Sequence, residues 1–294
     1  MKITSGFILL AFFVFIMSAQ SLRSQNNYTE AALFNIGIGS VFSGIGAVIN
    51  KEPQERFGKV IFKGMAQGAL GGYLVFESKV IAGRIAKQKN LTYGWPAKFV
   101  NSAGTSIIEN AASNRNFWEQ WNLNIGFNRI EFHTKERLQV KYKVQPVAMF
   151  LTISNAINYS IDLKNSLKIG EFVFTGNKLK SSFSNNPEGP AGQASATSMV
   201  INREYLNDYR VYAHELIHIL QYYDFNVFNS YLNKPLKQFK NGSRFFNKID
   251  KIFHYDLNYF LFHSVYFAEN FKVPNSQLYE KNYFELEADF YSAN

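Results

Sequence analysis

The stretch Tyr209-Arg210-Val211-Tyr212-Ala213-His214-Glu215-Leu216-Ile217-His218-Ile219-Leu220 decides how this chain is read. It is strongly apolar, and Asn207 or Asp208 stands just before it as a helix N-cap. On a helix, positions four apart share a face, so His214 and His218 present both imidazoles to one side. Glu215 lies about 100° round the helix from His214, close enough to reach a water on an ion held there. H-E-x-x-H in this setting points to Zn2+ and to hydrolysis by a metal-activated water. The chain has five His, and two of them fall in this pentapeptide, which makes accidental assembly a poor account.

A catalytic zinc keeps three protein ligands and one open position for water. With no Cys in the chain, the third ligand is sought among His133, His254, His263 and the downstream carboxylates. The C-terminal run Phe284-Glu285-Leu286-Glu287-Ala288-Asp289-Phe290 contains E-x-x-x-D. Together with the pentapeptide it resembles the gluzincin class of zinc metallopeptidases. Its E-x-x-A-D form is similar to that of the membrane-linked CaaX-prenyl-type enzymes and their bacterial relatives. The resemblance covers residues 208–292 in two patches, and Phe284 stands where many gluzincins have Asn. It implies that Glu285 is the third ligand, and that Asp289 hydrogen-bonds a ligand imidazole, that of His214. Helical geometry agrees, because Glu285 and Asp289 share a face whereas Glu287 lies about 200° from Glu285.

The chemistry implied is peptide-bond hydrolysis, with Glu215 as general base and a peptide or protein as substrate. A further oxyanion donor is sought among Tyr205, Tyr209, His254, Tyr255 and His263. Residues 194–203 read as a strand leading to the motif helix. The resemblance makes it an edge strand that binds substrate backbone.

The N-terminus reads as a secretory signal over residues 1–21. Lys2 precedes an apolar run from Phe7 to Met17, and Ala19-Gln20-Ser21 supplies a small-x-small cleavage site. An exported chain without Cys suits the bacterial periplasm or cell envelope. The formal net charge of +9 looks dispersed along the chain, and no nucleic-acid recognition module accompanies it. The charge fits an anionic envelope surface better than nucleic acid.

Working outward, residues 22–115 form a Gly-rich helical region. Ala31 to Ile49 carries no charge. After a polar break at residues 51–59, a second apolar segment from Val60 to Ile85 spaces Gly64, Gly68 and Gly72 four apart. That spacing makes a smooth face for close helix contact, which suits either a packed hairpin or a membrane-contacting pair over residues 31–85. Asn101 to Asn116 reads as a loop with a short helix at residues 105–112. Residues 116–193 form a β region. Leu138, Val140, Tyr142 and Val144 alternate with polar neighbours, Ala148 to Ile153 is a further apolar run, and Phe172 and Phe174 mark a strand. A polar loop follows at residues 180–193. Residues 194–294 are the metallopeptidase-like part.

The expected fold is therefore α+β: a Gly-rich helical hairpin, an antiparallel meander, then a zincin-like helical region. The competing function is an envelope-associated structural or membrane-interacting protein whose zinc site is not catalytic.

Overall fold

A computed structural model describes residues 27–179, 189–255, 257–270 and 282–293. The signal-like segment lies outside these residues, as does most of the loop expected at residues 180–193. The chain is a mixed α+β structure with two small sheets.

Three helices form the base: α1 (Tyr28–Ile49), α2 (Phe57–Gln88) and α3 (Gly94–Ala112). Asn27 caps α1 by accepting from the Glu30 N–H at 3.0 Å. The Gly faces meet as the spacing predicts. A Cβ added at Gly39 would stand 2.5 Å from Gly68 O, and one at Gly71 would stand 2.7 Å from Gly104 O, so only a hydrogen fits at either crossing. Among the described residues, α1 alone is long and apolar enough to cross a membrane, and a third of its apolar window is buried.

Helix α3 contains the short helix expected at residues 105–112 and corrects the loop expected before it, because the helix already begins at Gly94; Asn101, Thr105, Ser106 and Asn110 are buried helical residues. Thr105 Oγ1 donates to Asn101 O at 2.9 Å, and Asn110 Nδ2 donates to Gln120 O at 2.7 Å.

That polar helix explains the first sheet. Strands β1 (Gln120–Ile125), β2 (Asn128–His133) and β3 (Gln139–Val144) form the expected antiparallel meander in the order β1-β2-β3. Its wet face is reversed, however. Gln120, Asn122, Asn124, Arg129 and Glu131 are the buried side chains. The apolar rows Trp121–Phe132–Val140 and Leu123–Ile130–Tyr142 lie on the outer face. Asn122 Nδ2 reaches Glu109 of α3 at 3.1 Å, and Arg129 Nη2 reaches the same Glu109 carboxylate at 2.6 Å. The interior here is held by charge and hydrogen bonds, which leaves the apolar face outward.

The second correction is at Ala148 to Ile153, which lies within helix α4 (Pro146–Asn158), with Pro146 in its first turn. Next come β4 (Ser160–Ile161), α5 (Leu163–Ile169), β5 (Phe172–Gly176), β6 (Gly192–Ser195) and β7 (Ser198–Asn202). The second sheet has the order β4-β5-β7-β6, with β5 and β7 parallel and the other pairs antiparallel. The single strand expected over residues 194–203 is instead a hairpin. Ala196 takes a left-handed φ of 54° at its turn, so β7 is interior and the free edge is β6.

The remaining helices are α6 (Tyr209–Asp224), α7 (Val227–Tyr231), α8 (Asn233–Gly242), α9 (Arg244–Ile252), α10 (Leu257–Asn270) and α11 (Tyr283–Ala293). Helix α6 runs through the core. Its Leu216, Ile217, Ile219 and Leu220 join Met199 and Ile201 of β7, Ile85 of α2 and Ala288 of α11 in one buried cluster. Full burial of these aliphatic chains contributes roughly 1.5–3 kcal/mol each, so α6 is a rigid platform. Gly83 lies directly against Tyr291 O, which brings α11 onto α2 and beside α6.

Candidate metal centre

Three elements meet at the motif. Asp208 caps α6 by accepting from the Arg210 N–H at 3.0 Å, and this sets the helix start six residues before His214. Helix α11 runs against α6, and strand β6 crosses near Glu215.

His214 Nε2 lies 3.2 Å from Glu285 Oε2, His218 Nε2 lies 3.3 Å from the same oxygen, and the two Nε2 atoms are 3.0 Å apart. All three residues are mostly buried. The opposite ring nitrogens already have acceptors. His214 Nδ1 is 3.0 Å from Asp289 Oδ1, and His218 Nδ1 is 2.8 Å from Gln221 Oε1. With the protons held at Nδ1, both Nε2 lone pairs and a carboxylate oxygen point at one another. Three acceptors packed this closely require a cation between them. Ligands about 2.0 Å from a tetrahedral zinc stand about 3.3 Å apart, close to these separations. His214, His218 and Glu285 thus form a donor set that fits a metal ion.

Without a metal, protons take the cation's place. Burial works against charging His214, but its bonds to Asp289 and Glu285 outweigh that and raise its pKa to about 10. His218 is likewise raised against its burial, chiefly by the Glu285 charge. Burial pushes Glu285 up, yet the two imidazoles more than reverse this and hold it well below the carboxylate range. Glu215 moves the other way, raised by burial against the pull of the two imidazoles.

Glu215 sits at the free sheet edge. Its carboxylate accepts from the Ala194 backbone N–H, and a Cβ on Gly192 would fall 2.6 Å from its Oε1. Only Gly at 192 lets strand and carboxylate come this close.

A second layer of contacts was not visible in the sequence. Tyr266 of α10 donates its hydroxyl to Glu285 Oε1 at 2.7 Å. Gln221 Nε2 donates to Glu287 Oε2 and to Phe284 O, both at 2.9 Å. Glu287 faces away from the donor set and accepts from Lys79 Nζ of α2 at 3.1 Å, while the same ammonium bonds Asp224 at 2.7 Å and Asn35 at 3.3 Å. A continuous polar chain therefore runs from the Gly-rich hairpin to His218.

The other candidate His are engaged elsewhere. His133 lies 3.4 Å from Glu131, the His254 N–H donates to Val144 O, and His263 Nδ1 bonds Tyr259 O in its own helix. Tyr209 packs on Tyr212, and Tyr205 is exposed in the turn before α6. Comparisons with protein-family models, curated proteins and solved structures find no match.

Proposed function

We propose that this chain is a zinc-dependent metallopeptidase of gluzincin type, in which His214, His218 and Glu285 hold Zn2+ and Glu215 is the general base. The observation that carries this reading is the convergence of two Nε2 atoms and one carboxylate oxygen at 3.0–3.3 Å, with both Nδ1 atoms occupied by outer acceptors. Zinc bound there would lower the pKa of its water toward neutrality and polarise the scissile carbonyl. With zinc held there, Glu215 would be the group that takes the water's proton and passes it to the departing amine. The Ala194 N–H keeps the carboxylate in one orientation. Asp289 and Gln221 fix the imidazole tautomers. Strand β6, the free edge beside Glu215, is suited to pairing with an extended substrate. The Phe7–Met17 run supports export to the periplasm or envelope.

The test compares metal and activity. Purified protein is expected to carry about one zinc per chain, lost in His218→Ala. Glu215→Gln is expected to keep the zinc and lose peptide hydrolysis by a factor of about 10² to 10⁴. Equal cleavage by Glu215→Gln and the parent sinks the mechanism and leaves the non-catalytic zinc site.

A further inference from the structure

The two oxygens of Glu285 have different partners. Oε2 is the one that meets His214 Nε2 and His218 Nε2, at 3.2 and 3.3 Å. Oε1 instead accepts from the Tyr266 hydroxyl of α10 at 2.7 Å. A hydroxyl donating to a carboxylate at this distance makes a charge-assisted bond, roughly twice as strong as a neutral one. One oxygen is thus offered to the donor set and the other is anchored to a different helix.

Tyr266 is itself held in place. Its ring lies at 24° to that of Phe284, with 5.9 Å between centroids. Phe262, four residues earlier on α10, meets the same Phe284 ring edge-on at 4.9 Å. Asn282 ties the two helices together. Its Nδ2 donates to Tyr266 O at 3.3 Å, while its Oδ1 accepts from Phe284 N at 2.9 Å. Asn282 is buried, so these bonds are shielded from competing water. The register between Tyr266 and Glu285 is therefore set by backbone contacts as well as by the hydroxyl.

A carboxylate can bind a metal ion through one oxygen or through two. A hydrolytic zinc site needs three protein donor atoms and a position left for water. If Glu285 gave both oxygens, the second would compete for that position. To do so, Oε1 would have to weaken its bond to Tyr266. The geometry points to Tyr266 as a positioning residue that restrains Glu285 to one donor oxygen and so keeps a position on a bound ion free. This rests on the metal reading above, and adds to it the reason that the site offers three donor atoms. Tyr266 acts through Glu285, and no step of hydrolysis is assigned to its hydroxyl.

Cobalt(II) tests this, because its visible absorption is stronger in four-coordinate sites than in five- or six-coordinate ones. The chain has no Cys, so no thiolate bands overlap. Full-length protein is stripped of metal, loaded with Co2+ and compared with Tyr266→Phe, which keeps a ring on Phe284 and removes only the hydroxyl. Phe262→Leu is the control, because it loosens the same α10–α11 packing and keeps the hydroxyl. The expected result is a strong visible band in the parent and in Phe262→Leu, and a band weaker by about twofold or more in Tyr266→Phe at equal bound metal. An unchanged band in Tyr266→Phe overturns the proposal and leaves the metal site standing. So does a parent band already as weak as the variant's, which would mean that Glu285 binds through both oxygens. An equal loss in Phe262→Leu also overturns it, and assigns the effect to packing. A parent that binds neither Co2+ nor Zn2+ overturns the metal reading itself, and this proposal with it.

Discussion

Two buried charge clusters in this protein look alike in composition and differ in what they leave open. Around Arg129, a fully buried guanidinium is shared by two carboxylates: Nη2 is 2.6 Å from Glu109 Oε2, and Nε is 3.0 Å from Glu131 Oε1. Donors point at acceptors and the cluster is closed. At His214, His218 and Glu285, once both imidazoles are neutral with their protons at Nδ1, acceptors point at acceptors. Burial of charge by itself therefore says little about function. The direction of the lone pairs separates a strut from a binding site.

The largest expected effect breaks the open cluster alone. Glu285→Gln is expected to reduce zinc content from about one equivalent to background, measured by metal analysis after gel filtration, while the metal-free protein stays folded. If Glu285→Gln retains full zinc and Glu287→Gln loses it, the donor set is wrongly assigned.

The closed cluster should fail differently. Arg129→Met leaves Glu109 and Glu131 buried without their cation, and loss of one partner of such a pair costs about 3–5 kcal/mol. Urea unfolding of the metal-free protein measures this, and zinc stoichiometry of the folded fraction should not change. A loss under 1 kcal/mol would mean that the meander is held by something else.

Acid and base also distinguish the two. Glu131 is held below its ordinary range: burial opposes charging, but His133, Arg129 and Lys143 outweigh it. A carboxylate depressed in the folded state contributes stability above its unfolded value of about 4.3, and that stability is lost as pH falls further. His214 has the opposite sign. Its folded pKa of about 10 makes the proton stabilising at and below neutral pH, with the contribution lost as pH rises from about 6.5 through 10. Zinc must displace that proton, so binding near pH 7 should release protons into a weakly buffered solution. The apparent affinity should rise about tenfold per pH unit for each proton displaced. A pH-independent affinity would rule out the protonated, metal-free site.

How much of this was legible beforehand follows from the range of each interaction. Helical period places His214, Glu215 and His218 together on one turn, and Glu285 with Asp289 on another, but that the second pair belongs with the first was implied by the gluzincin resemblance and not by period. Helix α3 extends well before the short helix expected at residues 105–112: polar Asn101 reads as loop, but it donates to Ser78 Oγ of α2 and Ser106 meets Asn122 of β1, each more than a dozen residues away. The hairpin over residues 192–202 was missed because Ala196 turns it without Gly or Asn. The inverted faces of the meander follow from Glu109 meeting Arg129, which no local pattern encodes. Tyr266 and Lys79 gave no signal because each acts on a partner from another helix, and Gln221, although it meets His218 within one helix turn, is fixed in its orientation by Glu287 and Phe284 of another helix.

The smallest expected effect joins the Gly-rich base to the open cluster. Gln221 can orient His218 only if its amide is not free to flip. Oε1 must face Nδ1, and the Nε2 hydrogens are kept on the other side by Glu287 and Phe284 O. Glu287 in turn is held in place by Lys79 at 3.1 Å. Gln221→Leu should weaken zinc binding about 10- to 100-fold, the usual cost of losing an outer partner of a ligand imidazole. Lys79→Met acts one bond further out and should weaken it less, through a Glu287 carboxylate that no longer has its cation. Arg129→Met, equally buried but outside the chain of bonds, should leave zinc affinity unchanged in the folded fraction. Competition with a chromogenic chelator measures all three. If Lys79→Met and Arg129→Met lower the affinity equally, the Lys79–Glu287–Gln221–His218 chain carries no orientation, and the base merely supports the fold. If only Lys79→Met lowers it, the Gly-rich region sets the geometry at His218.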